Sequence, residues 1–139
     1  MKPRITIITV AVDDLRRSLR FYREAMGWTP WWPPPGHSEP FDHAAFNLAG
    51  GLSLVLNPRS EFAREARVGG IGQGVPEFTL THALPSREEV DALLTRAQSA
   101  GATLIRPPAD HPWGYAAEIR DPDGHLWEVL FNPDLKLED

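Results

Sequence analysis

One arrangement of elements occurs twice in this chain, and few folds accommodate that. Residues 5–58 read as strand, helix, strand, strand, strand, and residues 77–133 read the same way. The helices align with Leu19 and Tyr22 on Val90 and Leu93, 71 positions on. The closing strands align with Leu52-Ser53-Leu54-Val55-Leu56-Asn57-Pro58 on Trp127-Glu128-Val129-Leu130-Phe131-Asn132-Pro133, 75 positions on. Loops absorb the difference. A unit of about 55 residues makes little core alone, so two copies must share one. The expected architecture is α+β: two βαβββ repeats forming a curved mixed sheet around a cup-shaped cavity. The segments are 1–58 as first module, 59–74 as linker, 75–133 as second module and 134–139 as tail, all within one structural domain.

The local signals follow strand and helix rules. Ile5 to Val12 is β-branched and apolar, which predicts a strand buried on both faces. Asp13 or Asp14 caps a helix with Leu15, Leu19, Tyr22 and Met26 on its buried stripe, and Gly27 closes it. Arg16, Arg17, Arg20 and Arg23 lie off that stripe. Residues 28–42 are rich in tryptophan and proline, with Trp28 a candidate start for a short strand. Ala44–Leu48 and Leu52–Leu56 flank a Gly50-Gly51 turn. Residues 59–74 are charged, then glycine-rich, with one helical turn expected around Glu61 to Ala66. No Gly-Lys-Ser/Thr follows, so the glycines are not a phosphate loop. Glu77 to Ala83 reads as a strand. Ser86 opens a capping box with Glu89, and Val90, Leu93, Leu94 and Ala97 form the helix stripe, ended by Gly101. Ala102 to Ile105 is a strand, Arg106 to Gly114 a second proline-rich loop, and Tyr115 to Ile119 a strand.

The last strand follows a turn at Asp121-Pro122-Asp123-Gly124. Alternation puts His125, Trp127, Val129 and Phe131 on one face, and Leu126, Glu128 and Leu130 on the other. A carboxylate between two leucines needs a cation, hydrogen-bond donors or water. Glu128 is therefore either a site residue or a structural ion-pair member at a solvated edge.

Charge and composition narrow the partners. A net charge of −5 with 24% charged residues argues against nucleic acid or an anionic membrane surface. No cysteine is present, which excludes a disulfide scaffold, a thiolate metal site and a cysteine nucleophile. The apolar run at Ile5 to Val12 is too short to span a bilayer, which needs roughly 20 residues, and it lacks a signal-peptide cleavage site. The expectation is a cytoplasmic protein.

Val12-Asp13-Asp14-Leu15-Arg16-Arg17-Ser18-Leu19-Arg20-Phe21-Tyr22 and Asp121-Pro122-Asp123-Gly124-His125-Leu126-Trp127-Glu128 are similar to the patterns V-x-D-L-x-x-S-x-x-F-Y and D-P-D-G-x-x-x-E. With the repeat, they make the chain resemble the vicinal oxygen chelate superfamily, which holds glyoxalase I, bleomycin-resistance proteins and extradiol dioxygenases. The resemblance spans essentially the whole chain. It implies a homodimer and, in metal-using members, four ligands from the first and last strands of each unit. Those positions fall here on Ile7, Ser53, Phe78 or Thr79, and Glu128. One carboxylate does not hold a catalytic divalent ion. No cofactor is therefore expected. The alternative is Zn, Ni, Mn or Fe on Glu128 with an unidentified histidine, the candidates being His37, His43, His82, His111 and His125.

Three functions stay open. The first is a pocket for a small organic molecule, lined by Trp31, Trp32, Ser53, His82, Trp113, Tyr115 and Glu128, with aromatic faces clasping a planar or cationic group. The second is a lyase, isomerase, epimerase or dioxygenase with Glu128 as catalytic ligand or base. The third is a non-catalytic interaction protein whose aromatic loops form a dimer interface.

Overall fold

A computed structural model describes residues 3, 5–61, 79–135 and 137. In the first module, β1 (Ile7–Val12) leads into α1 (Leu15–Ala25), then β2 (Ala44–Asn47), a single 3-10 turn (Ala49–Gly51) and β3 (Ser53–Pro58). In the second, β4 (Leu80–Ala83) leads into α2 (Arg87–Ser99), β5 (Thr103–His111), β6 (Gly114–Arg120) and β7 (Leu126–Phe131). The strands form two sheets, ordered β1-β3-β2 and β4-β7-β6-β5. In both, the first strand lies parallel to the last and the hairpin partner lies antiparallel. Among the described residues, the first sheet has three strands, and one antiparallel bridge, Trp32 to Ala45, stands where a fourth would pair. Strand pairing therefore begins at Trp32, while Trp28 is in coil.

The helix ends behave as their sequences dictate. The Asp14 carboxylate accepts the Arg17 N–H at 3.1 Å. Gly27 follows α1 with φ +71°, a conformation that costs glycine little. At α2, the Ser86 hydroxyl accepts the Glu89 N–H at 3.2 Å and itself donates to the Glu89 carboxylate at 3.4 Å. Each helix lays its stripe on one face of its own sheet. Val10, Val12, Phe46, Leu54 and Leu56 from the first sheet join Ala117, Ile119, Trp127 and Val129 from the second in one core, with Phe21, Tyr22, Val90 and Leu93 between them. Fully burying one such side chain contributes about 1.5–3 kcal/mol, so the shared core is what makes two small units one body.

Two strand expectations need correction. The strand from Ile5 is not buried on both faces: Ile5 and Ile7 are 70% and 58% exposed, while Val10 and Val12 are buried. Apolar composition alone does not reveal which face has a partner. The second proline-rich segment is not a loop from Arg106. β5 continues through Pro107 and Pro108 to His111, with register shifts between Leu104 and Arg106 and between Arg106 and Ala109. Proline is tolerated there because β5 is an edge strand and the irregularities absorb its missing donor. Arg59 to Glu61 are helical. The remainder of the expected linker, and Phe78, lie outside the described residues.

Tyr22 ties the modules together. Its hydroxyl donates to Asp121 Oδ2 at 2.7 Å and accepts from Trp127 Nε1 at 3.0 Å. Burial, then the Asp121 charge, pushes the Tyr22 phenol well above its ordinary pKa, so it stays a donor. The Asp13 N–H and the Arg17 guanidinium both reach Asp123 Oδ1, at 2.7 and 3.1 Å.

Candidate functional site

The face of each sheet away from its helix carries the site positions. Ile7 pairs with Ser53, and Asn47 pairs with Ser53 from the other side. In the second module, Thr81 and Glu118 flank Glu128 in the same way. The residue across from Glu128 is thus Thr81, two positions beyond Thr79. The offset could not be read from sequence, because it depends on how β4 registers against β7.

Glu128 sits half-buried near the middle of this face. Thr81 Oγ1 donates to its Oε1 at 3.2 Å, and Trp113 Nε1 donates to its Oε2 at 3.1 Å. Both donors are neutral. Among the described residues no cation pairs with Glu128; the neighbouring cation, Arg106, goes to Glu118 at 3.6 Å. Trp113, 46% exposed, extends from the β5–β6 hairpin to Glu128, and its ring stacks on His111 at 4.5 Å with 6° between planes. The hairpin is seated by Gly114, where an added Cβ would fall 2.5 Å from the Phe131 carbonyl oxygen, and by Asn132 Nδ2 donating to the Trp113 carbonyl at 3.0 Å. Arg106, His111, Trp113, Ala116, Ala117, Glu118 and Glu128 line a slot of about 10 Å³. That is at the lower limit for one water, so Trp113 must swing for anything larger to reach the acid there.

Thr81 also borders a larger space. A cleft of about 580 Å³ runs along β4, between Trp28, Thr29 and Asn47–Ala49 of the first module and Thr81–Ala83 and Trp127 of the second. This volume lies within the usual range for small-molecule pockets. The Trp28 ring meets His82 edge-on at 5.5 Å and Trp127 at 6.0 Å. Burial lowers the His82 pKa below 6.5, so the imidazole is neutral at pH 7.

The sequence-derived set divides. Glu128 and Trp113 are in direct contact, and His82 lines the adjoining cleft, although on the helix-facing side of β4 with Leu80. Ser53 lies on the equivalent face of the first sheet, donating to Asn47 Oδ1 at 3.2 Å. Tyr115 lies on the other face from Glu128: its hydroxyl donates to Asp91 at 2.7 Å, and Arg87 sits over its ring at 4.6 Å. Trp31, 52% exposed, and Trp32 lie at the outer edge of the first sheet, where Trp32 stacks with His43 and packs against His37. Sequence reasoning missed Thr81, Glu118 and Arg106. Alternation along β6 would have offered Glu118, had the hairpin register been known.

Neither of two candidate donor sets among the described residues suits a catalytic divalent ion. The positions Ile7, Ser53, Thr81 and Glu128 supply a hydrocarbon, two hydroxyls and one carboxylate, a poor donor set. Asp121, Asp123 and His125 bring ligand-type atoms within 4.8 Å of one another on the other side of the sheet. However, Asp121 already accepts from the Asp123 and His125 N–H groups, from Tyr22 and from His125 Nδ1. The Arg17 cation already occupies Asp123. Burial pulls the His125 pKa down, but the hydrogen bond and charge of Asp121 more than offset it, leaving a net rise.

The profile of the Glyoxalase/Bleomycin resistance protein/Dioxygenase superfamily matches residues 4–129. The chain belongs to this superfamily. It is similar to the uncharacterized protein Mb0911c of Mycobacterium bovis, 30% identical over 128 residues, covering 86% of this chain and 78% of that protein. It is also similar to the uncharacterized protein PA2024 of Pseudomonas aeruginosa, at 28% identity, covering 97% and 93%. A crystal structure of a glyoxalase-related enzyme from Fulvimarina pelagi superposes with a TM-score of 0.83 at 28% identity, covering 97% of this chain and 92% of that one. A superfamily structure from Burkholderia phytofirmans, 19% identical with a TM-score of 0.77 over 91% and 96%, shares the fold. The family assignment accounts for the two modules. Among the described residues no helix is long and apolar enough to cross a membrane.

Proposed function

We propose that this superfamily member binds a small organic molecule in the cleft along β4, with Glu128 recognising a cationic or hydrogen-bond-donating group at its end. The observation that carries the reading is Glu128 itself: a half-buried acid facing two neutral donors, with no cation paired to it among the described residues. Such a group gains most from a ligand that brings positive charge. Thr81 stands between the cleft and the acid: it lines the cleft, and its hydroxyl donates to Glu128. Trp28 and Trp127 supply flat apolar walls, and neutral His82 supplies a hydrogen-bonding edge. The His111–Trp113 pair closes over the acid and would stack on the incoming group.

Two probes of one shape and opposite charge test this. Benzylamine and benzoate are titrated at neutral pH, following tryptophan fluorescence and ligand-observed NMR. Benzylammonium binding at least about tenfold tighter than benzoate, with the preference abolished in Glu128→Gln, supports the reading. Equal binding, or a preference that survives the substitution, sinks it.

A second reading rests on β1. Ile7 on the edge strand β1, with Ile5 just before it, exposes an apolar strip, the kind of surface a second copy covers. A homodimer buried there would be split by Ile7→Lys, read as a halved mass in light scattering; an unchanged mass removes this reading.

A further inference from the structure

Away from the cleft, α1 carries a feature that small-molecule binding at Glu128 does not use. The chain is acidic, at −5, yet four of its 14 basic residues crowd onto one eleven-residue helix. Arg16, Arg20 and Arg23 fall at i, i+4 and i+7, so they form one stripe on the outer side of α1. Opposite them stands the proline-rich segment 29–41. Helix and segment enclose a groove of about 900 Å³, with Leu19, Pro33 and Phe41 among its apolar lining and His37 at its wall.

The four guanidiniums are not equivalent. Arg16 is held by Glu39 at 2.5 Å, and Arg17 is held by Asp123 at 3.1 Å. Arg20 and Arg23 line the same groove with no carboxylate partner among the described residues. They stand one turn apart, about 5–6 Å between Cβ atoms, a spacing that lets two planar forks grip one tetrahedral dianion. A bare phosphate would fill little of 900 Å³. The remaining lining is mixed, with Leu19, Phe41 and the prolines beside Thr29 and the carboxylates of Asp14 and Glu39, and the His37 ring lies 5.1 Å from Trp32. Proline fixes its own backbone, so the facing wall is pre-ordered and costs little entropy on binding.

We propose that this groove is a second binding site, for a phosphate monoester with a planar organic body, of about the size of a nucleoside monophosphate. Arg20 and Arg23 hold the phosphate, and Phe41, Pro33 and His37 receive the body. The charge requirement is opposite to that at Glu128, so the two sites select different ligands.

The test uses the full chain in isothermal titration with adenosine 5′-monophosphate, adenosine and inorganic phosphate. The monophosphate is expected to bind tighter than either fragment, with an affinity that falls as salt rises. The paired substitution Arg20→Ala and Arg23→Ala is expected to weaken it at least roughly tenfold. The paired Arg20→Lys and Arg23→Lys substitution recovers part of the loss, because charge returns without the fork. Both arginines are exposed, and circular dichroism verifies that α1 persists. Glu128→Gln leaves this binding unchanged, which separates the proposal from the cleft. No monophosphate binding at about 5 mM, or binding that the alanine pair does not weaken, overturns it. So does preferential binding of a hexaglutamate peptide, which would make the groove a protein-docking surface.

Discussion

The two modules share a helix-facing side and differ on the opposite side. Toward the helices, Leu54 and Phe46 in the first match Val129 and Ala117 in the second as members of one apolar core. On the outer side, Ile7, Ser53 and Asn47 stand where Thr81, Glu128 and Glu118 stand. The first module keeps an apolar strip and a neutral hydrogen bond, while the second gathers two carboxylates, a hydroxyl and an indole N–H. Packing therefore constrains one face of each sheet, and the other is free to diverge toward chemistry.

The comparison breaks most severely if the core is not common property. Leu54→Ala and Leu93→Ala remove fully buried side chains from different modules. Each is expected to cost about 2–5 kcal/mol and to lower one cooperative denaturant transition. Two separate transitions would mean that the modules are independent bodies. Tyr22→Phe comes next. It leaves Trp127 Nε1 without its acceptor and removes one of the Asp121 donors, for about 1–3 kcal/mol in the same measurement.

Near neutral pH, two histidines contribute to the pH dependence with opposite signs. His125 has a raised pKa in the folded state, so its contribution is complete below the unfolded value of 6.5 and is lost as pH rises through the folded value. His82 has a lowered pKa, so its contribution is present above 6.5 and is lost as pH falls through the folded value. The histidine contribution to stability thus peaks near pH 6.5. His125→Asn should flatten the alkaline limb and His82→Gln the acid limb, each read from denaturation midpoints across pH. The smallest effect belongs to the diverged face. Glu128→Ser makes the second module imitate the first, and stability should move by no more than about 0.5 kcal/mol.

How much of this the chain disclosed beforehand depended on whether the signal was local. Asp14, Leu15, Leu19, Tyr22 and Gly27 announced α1, and Ser86 with Glu89 announced α2, because caps and helical stripes are written within a few residues. The repeat followed from matching those segments. Glu128 stood out because a carboxylate interrupts an apolar alternation. Features set by pairing between distant strands were hidden. Nothing local marks Thr81, because its place beside Glu128 depends on the register of β4 with β7. The sequence permits Tyr115 to face the pocket, yet the register of β6 turns it toward Asp91 on α2. The exposure of Ile7 was likewise invisible, since apolar residues do not state whether anything covers them.

The Tyr22–Asp121 bond crosses from one half of the chain to the other. Either half made alone would carry an orphan, a phenol with no acceptor or a buried acid with one donor fewer, beside an uncovered apolar face. Fragments severed between Glu61 and Thr79 should therefore recognise each other in solution. The break could be placed so that regaining the fold becomes a readout of two molecules meeting.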